Sequence, residues 1–468
     1  MIKKKSLRID LAVIENKLFR HLFRYQQWYF LLLISIILAT SFVSNFLNDK
    51  PLIMGVESYY HLNLAQESII KNLSYLPLYF LANLLDNTQL IIVPLLLSFG
   101  SLILYLQLAK KLAISSLFSI FFLIFLIFSP SFIFTYSTIS AYSYFTFLTL
   151  ASFLLLMQEK KRYNYFSIIP FVLATFFDIF STFLLLMLQG MYFYHYQKKQ
   201  RKISITIIST TVLLLLINIF FLGQQFILGP FHNQQIIADL IADLGGLSGM
   251  SFFLLFLAII GLVVAKKQKT NNGLYLLAAI IIPAYIYSTQ VIFPLTIIAT
   301  IFATIGLLRL FEKKWILDTL RKFTLLLLIL SILFSTFTYI DRITLNGPSA
   351  EEKGALQWIS ENIISQTVIF STPENGYYIQ YFTERPAFTL FHNKDKINNV
   401  DNKAILDATY VDELFPLLEK NKIEIIYVTS QMKEQLPQDY GLLFLLKNEN
   451  FKLVYSQGET EVWVFKKE

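Results

Sequence analysis

The strongest constraint on how this chain can fold is its succession of long apolar runs, separated by short basic clusters. A helix needs about 20 apolar residues to cross about 30 Å of hydrocarbon. Runs of this kind lie at 29–47, 89–108, 112–129, 139–157, 203–222, 248–265, 273–289, 292–310 and 321–340. The chain is 55% hydrophobic and 15% charged, against about 25% charge in ordinary soluble domains. A soluble protein could not hide that much apolar surface, whereas a lipid solvent removes the need. The sequence therefore predicts a polytopic α-helical membrane protein.

The basic clusters orient the stack, because short cytoplasmic loops are enriched in Lys and Arg. Lys3, Lys4, Lys5, Arg8, Arg20 and Arg24 precede the first run. The apolar run Phe30–Leu47 lacks a small-residue cleavage pattern and reads as a retained first span. Later clusters are Lys110–Lys111, Lys160–Arg162, Lys198–Lys202, Lys266–Lys269 and Arg309–Lys314. The segment 164–196 has basic flanks at both ends. It is expected to form a hairpin of two short helices, 166–177 and 179–194, with Asp178 at the outer tip. The count then reaches about eleven crossings, with the N-terminus in the cytoplasm and the C-terminus outside.

Charge also divides the chain. Residues 1–345 carry a net charge of +14 and residues 346–468 carry −6. The overall +8 is thus a topology signal and predicts no nucleic-acid partner. With no Cys, disulfides, Cys-ligated zinc and thiol chemistry are excluded.

Three parts follow. Residues 1–28 form a basic amphipathic cytoplasmic lead. Residues 29–340 form the membrane domain, with outward loops at 48–88 and 223–247. Residues 347–468 form a water-soluble extracytoplasmic α/β domain. In that last part, helices are expected at 351–362, 377–383 and 412–420, strands at 367–370, 387–390 and 423–428, a polar loop at 393–403, and a hairpin from 451–455 and 461–465. No Gly-rich phosphate loop is present.

Few residues in or near the membrane carry chemistry. Glu57 lies in the first outward loop, within Glu57-Ser-Tyr-Tyr-His61. Four-residue spacing places Glu57 and His61 on one face of a helix. A carboxylate there can bind a hard divalent cation or serve as a base, or merely anchor an interfacial amphipathic helix. Asp239 and Asp243, four apart in the second outward loop, form another acidic pair on one predicted helical piece. They could bind a cation, act as base, or simply hydrate the loop. Asp178, among Phe176, Phe177 and Phe180, is a functional candidate because ionisable groups at membrane depth are costly. His195 and His232 are isolated and carry no assignment.

The stretch Gly55-Val-Glu-Ser-Tyr-Tyr-His-Leu62 resembles the acid-containing first-loop motif of membrane GT-C glycosyltransferases. It is most similar to archaeal homologues of the oligosaccharyltransferase catalytic subunit. The resemblance implies that Glu57 binds a divalent metal, Mn²⁺ or Mg²⁺, holding the phosphate of a polyprenyl-linked sugar donor. Tyr60 and His61 would position that phosphate, and Asp243 would be the acid of the outer loop that approaches the donor. Asp239 stands in the same loop as a further substrate contact. Where the family has Trp-Trp-Asp-Tyr-Gly, this chain has Thr372-Pro-Glu-Asn-Gly376, with Glu374 as a shifted acid. Ser129–Met157, where the family carries a second acid pair, contains no Asp, Glu or His.

The expected function is transfer of a sugar or oligosaccharide from a polyprenyl-phosphate or polyprenyl-diphosphate donor to an acceptor at the outer face. Glu57, Asp243 and Asp178 are the expected catalytic residues, with Glu57 and Asp243 as metal ligands. A divergent scaffold that binds lipid-linked glycan without turnover is the alternative. A transporter is the third reading, favoured by the interrupted segment 164–196 but not by any matching break in the second half. The sequence names no protein partner.

Overall fold

The computed structural model describes residues 17–66, 89–175, 179–220, 236–246, 248–266, 272–287, 291–313, 315, 317–344, 346–364, 366–390 and 396–466. These residues divide into two compact units. One comprises residues up to Phe42 together with Ser68–Leu345; the other comprises Val43–Glu67 with Asn346–Glu468.

The first unit is helical. In chain order it holds most of α1 (Lys17–Leu47), then α3 (Ile92–Lys111), α4 (Ser116–Ile127), α5 (Pro130–Ser137), α6 (Ala141–Leu156), α7 (Lys161–Phe166), α8 (Ile168–Ala174), α9 (Ile179–Phe220), α10 (Ile236–Leu240), α11 (Phe252–Ala265), α12 (Asn272–Tyr287), α13 (Ile292–Glu312) and α14 (Asp318–Thr344). The helix α2 (Val56–Gln66) belongs to the second unit. Among the described residues, four helices are long and apolar enough to cross a membrane: Arg24–Leu47 of α1, Gln89–Lys111, which includes α3, and α13 and α14. A fifth crossing forms if the bent pair α4–α5 counts as one span. Shorter apolar helices lie at 141–156, 180–194, 203–217, 252–265 and 273–286. The chain is a multi-pass membrane protein.

Three sequence expectations need correction here. The run 112–129 does not end as a straight span: Ser129 caps a new helix with Pro130 in its first turn, and the chain bends by 67° into α5. Proline fits that first turn because its missing N–H is unpaired there anyway. The acids Asp239 and Asp243 do not share one helix. Ile241 is extended, and Ala242 N–H donates to Met250 O at 2.9 Å while Met250 N–H donates to Leu240 O at 2.8 Å. That bridge interrupts the helix between the two acids. The helices expected at 179–194 and 203–222 are joined as the single element α9. It cannot be straight, since the Gln189 amide donates to the Thr211 hydroxyl at 3.1 Å. Twenty-two residues of straight helix would set them about 33 Å apart. The chain therefore doubles back between them.

The helices α11 and α13 pack backbone against backbone. A Cβ at Gly261 would strike the Phe302 carbonyl, and one at Gly306 would strike the Leu257 carbonyl. Small residues let backbones approach in this way, and dispersion contacts then replace the hydrophobic drive that lipid does not supply. Thr296, Thr300 and Thr304, all fully buried on α13, return their hydroxyls to carbonyls four residues earlier.

The second unit is an α/β fold. Its helices are α2, α15 (Ala350–Asn362), α16 (Gly376–Thr383), α17 (Lys396–Asp407), α18 (Val411–Lys420), α19 (Ser430–Gln435) and α20 (Leu442–Leu445). Its strands β1 (Val368–Phe370), β2 (Ile423–Val428), β3 (Phe451–Gln457) and β4 (Thr460–Phe465) form one sheet in the order β1-β2-β4-β3. The pair β1–β2 is parallel and the other two pairs are antiparallel. Ser349 and Glu352 form a reciprocal capping box that starts α15. The polar loop expected at 393–403 is instead largely the helix α17. Its polar sequence hides a buried stripe: Asp401 accepts from Lys420 and Asn421, and Ile405, four residues on, is fully buried. The strand expected at 387–390 shrinks to a single bridge between Ile369 and Ala387.

Candidate functional site

The motif around Glu57 folds as a helix with a glycine hinge. Gly55 takes φ +77, which glycine adopts without a Cβ penalty, and its N–H donates to Asn346 O at 3.0 Å. From there the chain turns directly into α2. Ser58 returns its hydroxyl to Met54 O at 2.5 Å. Glu57 stands in the first turn of α2, where the unpaired N–H groups favour an acid. Burial is the larger influence and pushes its carboxyl up from the usual carboxylate range to about 7.

Aromatic rings hold α2 in place. Tyr59 is buried, with its ring edge-on to Tyr378 at 4.9 Å and to Tyr381 at 5.0 Å. Tyr60 is half-buried, edge-on to Tyr377 at 5.1 Å and tilted on His61 at 5.0 Å. His61 is buried. The Asn63 amide donates to Tyr377 O at 3.3 Å. The partner is α16, so Gly376-Tyr-Tyr-Ile-Gln-Tyr-Phe-Thr383 is the platform on which the first-loop motif sits. The sequence assigns roles to Tyr60 and His61, places Tyr59 in the motif without a role, and assigns none to Tyr377, Tyr378 or Tyr381. Their one available signal was the matching Tyr-Tyr pair in each segment.

Glu374 lies in the short turn Pro373–Asn375 that opens α16 and is half-buried. Asn375 donates to Ser371 Oγ at 3.1 Å and Thr372 Oγ1 at 3.0 Å. Gly376 is obligatory, because a Cβ would collide with Thr389 O.

In the membrane unit, Asp243 is exposed, yet both of its oxygens have structural partners. Oδ2 accepts from Phe252 N–H at the start of α11 at 2.7 Å, and Oδ1 accepts from Ser335 Oγ of α14 at 2.5 Å. Beside it, the Arg342 guanidinium donates to Ala242 O at 2.5 Å and Gly246 O at 3.4 Å. Asp239 is half-buried with Tyr285 close enough to feel its charge. Gly246 and Gly249 pack on the Asp239 backbone, leaving no room for a Cβ. Asp178 lies outside the described residues.

Glu57, Tyr60, His61 and Glu374 belong to the second unit, and Asp239 and Asp243 belong to the first. Among the described residues, no three His, Asp or Glu side chains form a group able to hold a metal. A hard divalent cation takes six or more oxygens, with waters or substrate phosphate filling what the protein does not supply. Glu57 contributes one carboxylate, and Asp243 is engaged elsewhere. The described donor set does not fit the Mn²⁺ or Mg²⁺ site expected from the sequence.

No protein-family model and no curated protein matches the sequence. Solved structures do match. The apo oligosaccharyltransferase of Archaeoglobus fulgidus superposes with a TM-score of 0.57 at 11% identity, covering 87% of this chain and 70% of that one. The same organism's oligosaccharyltransferase AglB, in complex with an inhibitory peptide and a dolichol-phosphate, gives 0.53 at 11% identity over 86% and 69%. Its complex with Zn and sulfate gives 0.56 at 10% identity over 85% and 67%. At such identities the likeness is one of fold: over most of its length this chain is folded like the archaeal oligosaccharyltransferase structures.

Proposed function

We propose that this protein is a membrane glycosyltransferase that moves a sugar from a polyprenyl-phosphate or polyprenyl-diphosphate donor to an acceptor on the outer face. One observation supports this above the rest: within a GT-C fold, the acid of the first-loop motif is Glu57, set at a helix start and poised near pH 7. The similar archaeal structure that binds dolichol-phosphate supports a lipid-linked donor and a membrane-lipid partner here.

In this reading Glu57 is a general base. The ionised carboxylate takes the proton from the acceptor nucleophile. That nucleophile forms a bond to the sugar's anomeric carbon as the carbon–oxygen bond to phosphate breaks. The polyprenyl phosphate or diphosphate leaves with the bonding electron pair. A base works best with a pKa near the operating pH, and about 7 meets that condition. Tyr60 and His61 orient the donor phosphate, with Asp239 and Glu374 as further substrate contacts. Asp243 is a positioning residue that ties Phe252 N–H to Ser335, and Asp178 is the third catalytic acid by sequence alone. Because the described donor set does not fit a divalent ion, no step is routed through one.

The accompanying topology has eleven crossings, a cytoplasmic N-terminus, and residues 347–468 outside as a soluble domain. The four long helices, the bent pair α4–α5 and the five shorter apolar helices, two of them the halves of the doubled-back α9, supply ten of these crossings, and the eleventh falls to the short helix α8. The chain has no Cys, so a single cysteine placed at Asn48 can be probed with an impermeant thiol reagent. Labelling only from the cytoplasmic side would sink the arrangement.

Reconstituted vesicles supplied with a radiolabelled polyprenyl-phosphate sugar test the chemistry. Glu57→Gln is expected to abolish transfer, and wild-type turnover should rise with pH through about 7. Undiminished transfer by a folded Glu57→Gln protein would overturn the proposal. A second reading, a scaffold that binds lipid-linked glycan without turnover, is favoured by the occupied oxygens of Asp243. It predicts donor binding without transfer in the wild type.

A further inference from the structure

The membrane unit contains a cavity of about 890 Å³ that neither Glu57 nor Asp243 lines. Its lining follows one helix from near its start to its end. Phe293, Ile297, Ile301, Ile305 and Leu308, one face of α13, line it, followed by Arg309 and Glu312. From Phe293 to Glu312 a helix rises about 28 Å, close to the hydrocarbon thickness of about 30 Å. The facing walls come from Tyr105 on α3 and from Phe118, Phe122 and Leu126 on α4. These dimensions suit an extended hydrocarbon chain.

The two ends differ. Phe121, midway along α4, packs on Phe311 near the end of α13, ring to ring at 5.7 Å, and the turn Leu112–Ser115 between α3 and α4 lines the cavity together with Arg309 and Glu312. Lys111 at the end of α3 donates to Met157 O at the end of α6 at 3.2 Å. The C-termini of α3, α6 and α13 therefore meet at one end. That end carries Lys110, Lys111, Arg309 and Lys313 against Glu312, which pairs with Arg309 at 3.1 Å. Its net charge is +3 by residue type. Inside, Thr149 of α6 lines the cavity. It is 7% exposed, and its hydroxyl has no hydrogen-bond partner among the described residues. It lies eight residues before Met157, about 12 Å along the helix. A pure hydrocarbon would leave this hydroxyl unsatisfied, which is costly in an apolar wall. An ester oxygen just below a headgroup would satisfy it.

We infer that this cavity holds one acyl chain of an anionic phospholipid, with the phosphate at the Arg309 end and an ester oxygen near Thr149. The site is independent of the proposed sugar transfer, since none of Glu57, Asp239 and Asp243 lines it.

The test uses the full chain in vesicles doped with phosphatidylglycerol carrying a diazirine on one acyl chain, compared with the matching phosphatidylcholine. Photolabelled peptides are mapped by mass spectrometry. The anionic probe is expected to label 118–126 and 297–308 about fivefold more than the zwitterionic one, the worth of one near-surface cation. Arg309→Gln, on a largely exposed side chain, should erase most of that preference. Ile301→Trp, which fills the cavity, should abolish labelling there. Should that variant fail to fold, the wild-type comparison still decides. Equal labelling by both lipids, or labelling confined to other segments, would overturn the inference. So would displacement of the probe by unlabelled polyprenyl phosphate, which would make the cavity part of a donor site.

Discussion

The Tyr59 ring stands edge-on to Tyr378, centroid to centroid 4.9 Å with an interplanar angle of 77°. It joins a segment just after the first span to one more than three hundred residues later. Edge-to-face pairs of this kind add about 0.5–1.5 kcal/mol beyond the area they bury. Tyr59 makes a second such contact with Tyr381 and a tilted one with Phe382, and its hydroxyl donates to Ile53 O at 3.2 Å. Tyr59→Ala should therefore cost about 3–5 kcal/mol, as large aromatic truncations in cores do. Tyr59→Phe should cost only about 0.5–1.5 kcal/mol, the worth of one hydrogen bond. Limited proteolysis across residues 43–67 at graded temperature measures both, and equal protection of the two variants would contradict this role.

The carboxyl of Glu57 makes stability depend on pH. Its pKa is raised by burial from 4.5 to about 7, so the folded state favours the protonated form. The stabilising contribution is complete below the unfolded value of 4.5 and is lost as pH rises through about 7. A shift of this size corresponds to at most about 3 kcal/mol. Thermal unfolding of the wild type should weaken between pH 5 and pH 8. Glu57→Gln, which cannot ionise, should flatten that part of the profile. A profile unchanged by the substitution would show that Glu57 is not the group responsible.

Asp243 caps the first turn of α11 and ties it to Ser335. Asp243→Ala should lower stability by about 1–2 kcal/mol, the ordinary worth of a lost helix cap. Asp243→Asn retains an acceptor oxygen and should recover about half. In the transfer assay the Asn variant should keep most of its turnover, because the residue positions the loop and does not move a proton. Loss of turnover in Asp243→Asn with an unchanged melting temperature would make Asp243 catalytic.

Most of the architecture was legible for a simple reason. Apolar runs and basic clusters are local signals, and each element of the C-terminal fold carries its own periodicity or turn residues. What stayed hidden is long-range. Nothing near Tyr59 announces Tyr378, and nothing near Asp243 announces Ser335. Ile241 reads as helical until Met250 is seen to pair with it. The helix α17 was masked because Asn398, Asn399, Asp401 and Asn402 look like a loop. One of them, Asp401, is bound to Lys420 at 2.8 Å. Glu57 could be named from its motif, but its upward pKa shift depends on burial that only the fold supplies.

The contact between α11 and α13 admits no side chain at Gly261, where a Cβ would meet the Phe302 carbonyl. A backbone carbonyl cannot rotate aside as a flexible side chain can. Gly261→Ala should therefore push the helices apart and cost more than the roughly 1–3 kcal/mol of ordinary overpacking. Gly190→Ala is the control, since a Cβ there meets nothing within 4 Å. The melting temperature of the detergent-solubilised protein should fall sharply for the first and stay level for the second. Similar values for the two would mean that the helices slide apart freely.

Arg385 ties together the ends of two helices in the second unit. Its guanidinium donates to Ser360 O at 2.9 Å and to Ile363 O, both at the end of α15, and to Thr383 O at the end of α16. Carbonyls in the last turn of a helix have no partner within it, and a cation there also suits the helix dipole. Arg385→Ala leaves three half-buried carbonyls without this donor. Hydrogen bonds from a charged donor are worth about 1.5–3 kcal/mol each, and water can recover part of that, so a loss of about 3 kcal/mol is expected. Arg385→Lys should recover less than half, because one ammonium cannot reach carbonyls that a planar fork contacts from two nitrogens. Protease resistance of residues 347–466 in the full chain should decline in the order wild type, Lys, Ala. A Lys variant as resistant as the wild type would show that charge alone suffices and that the fork geometry contributes nothing.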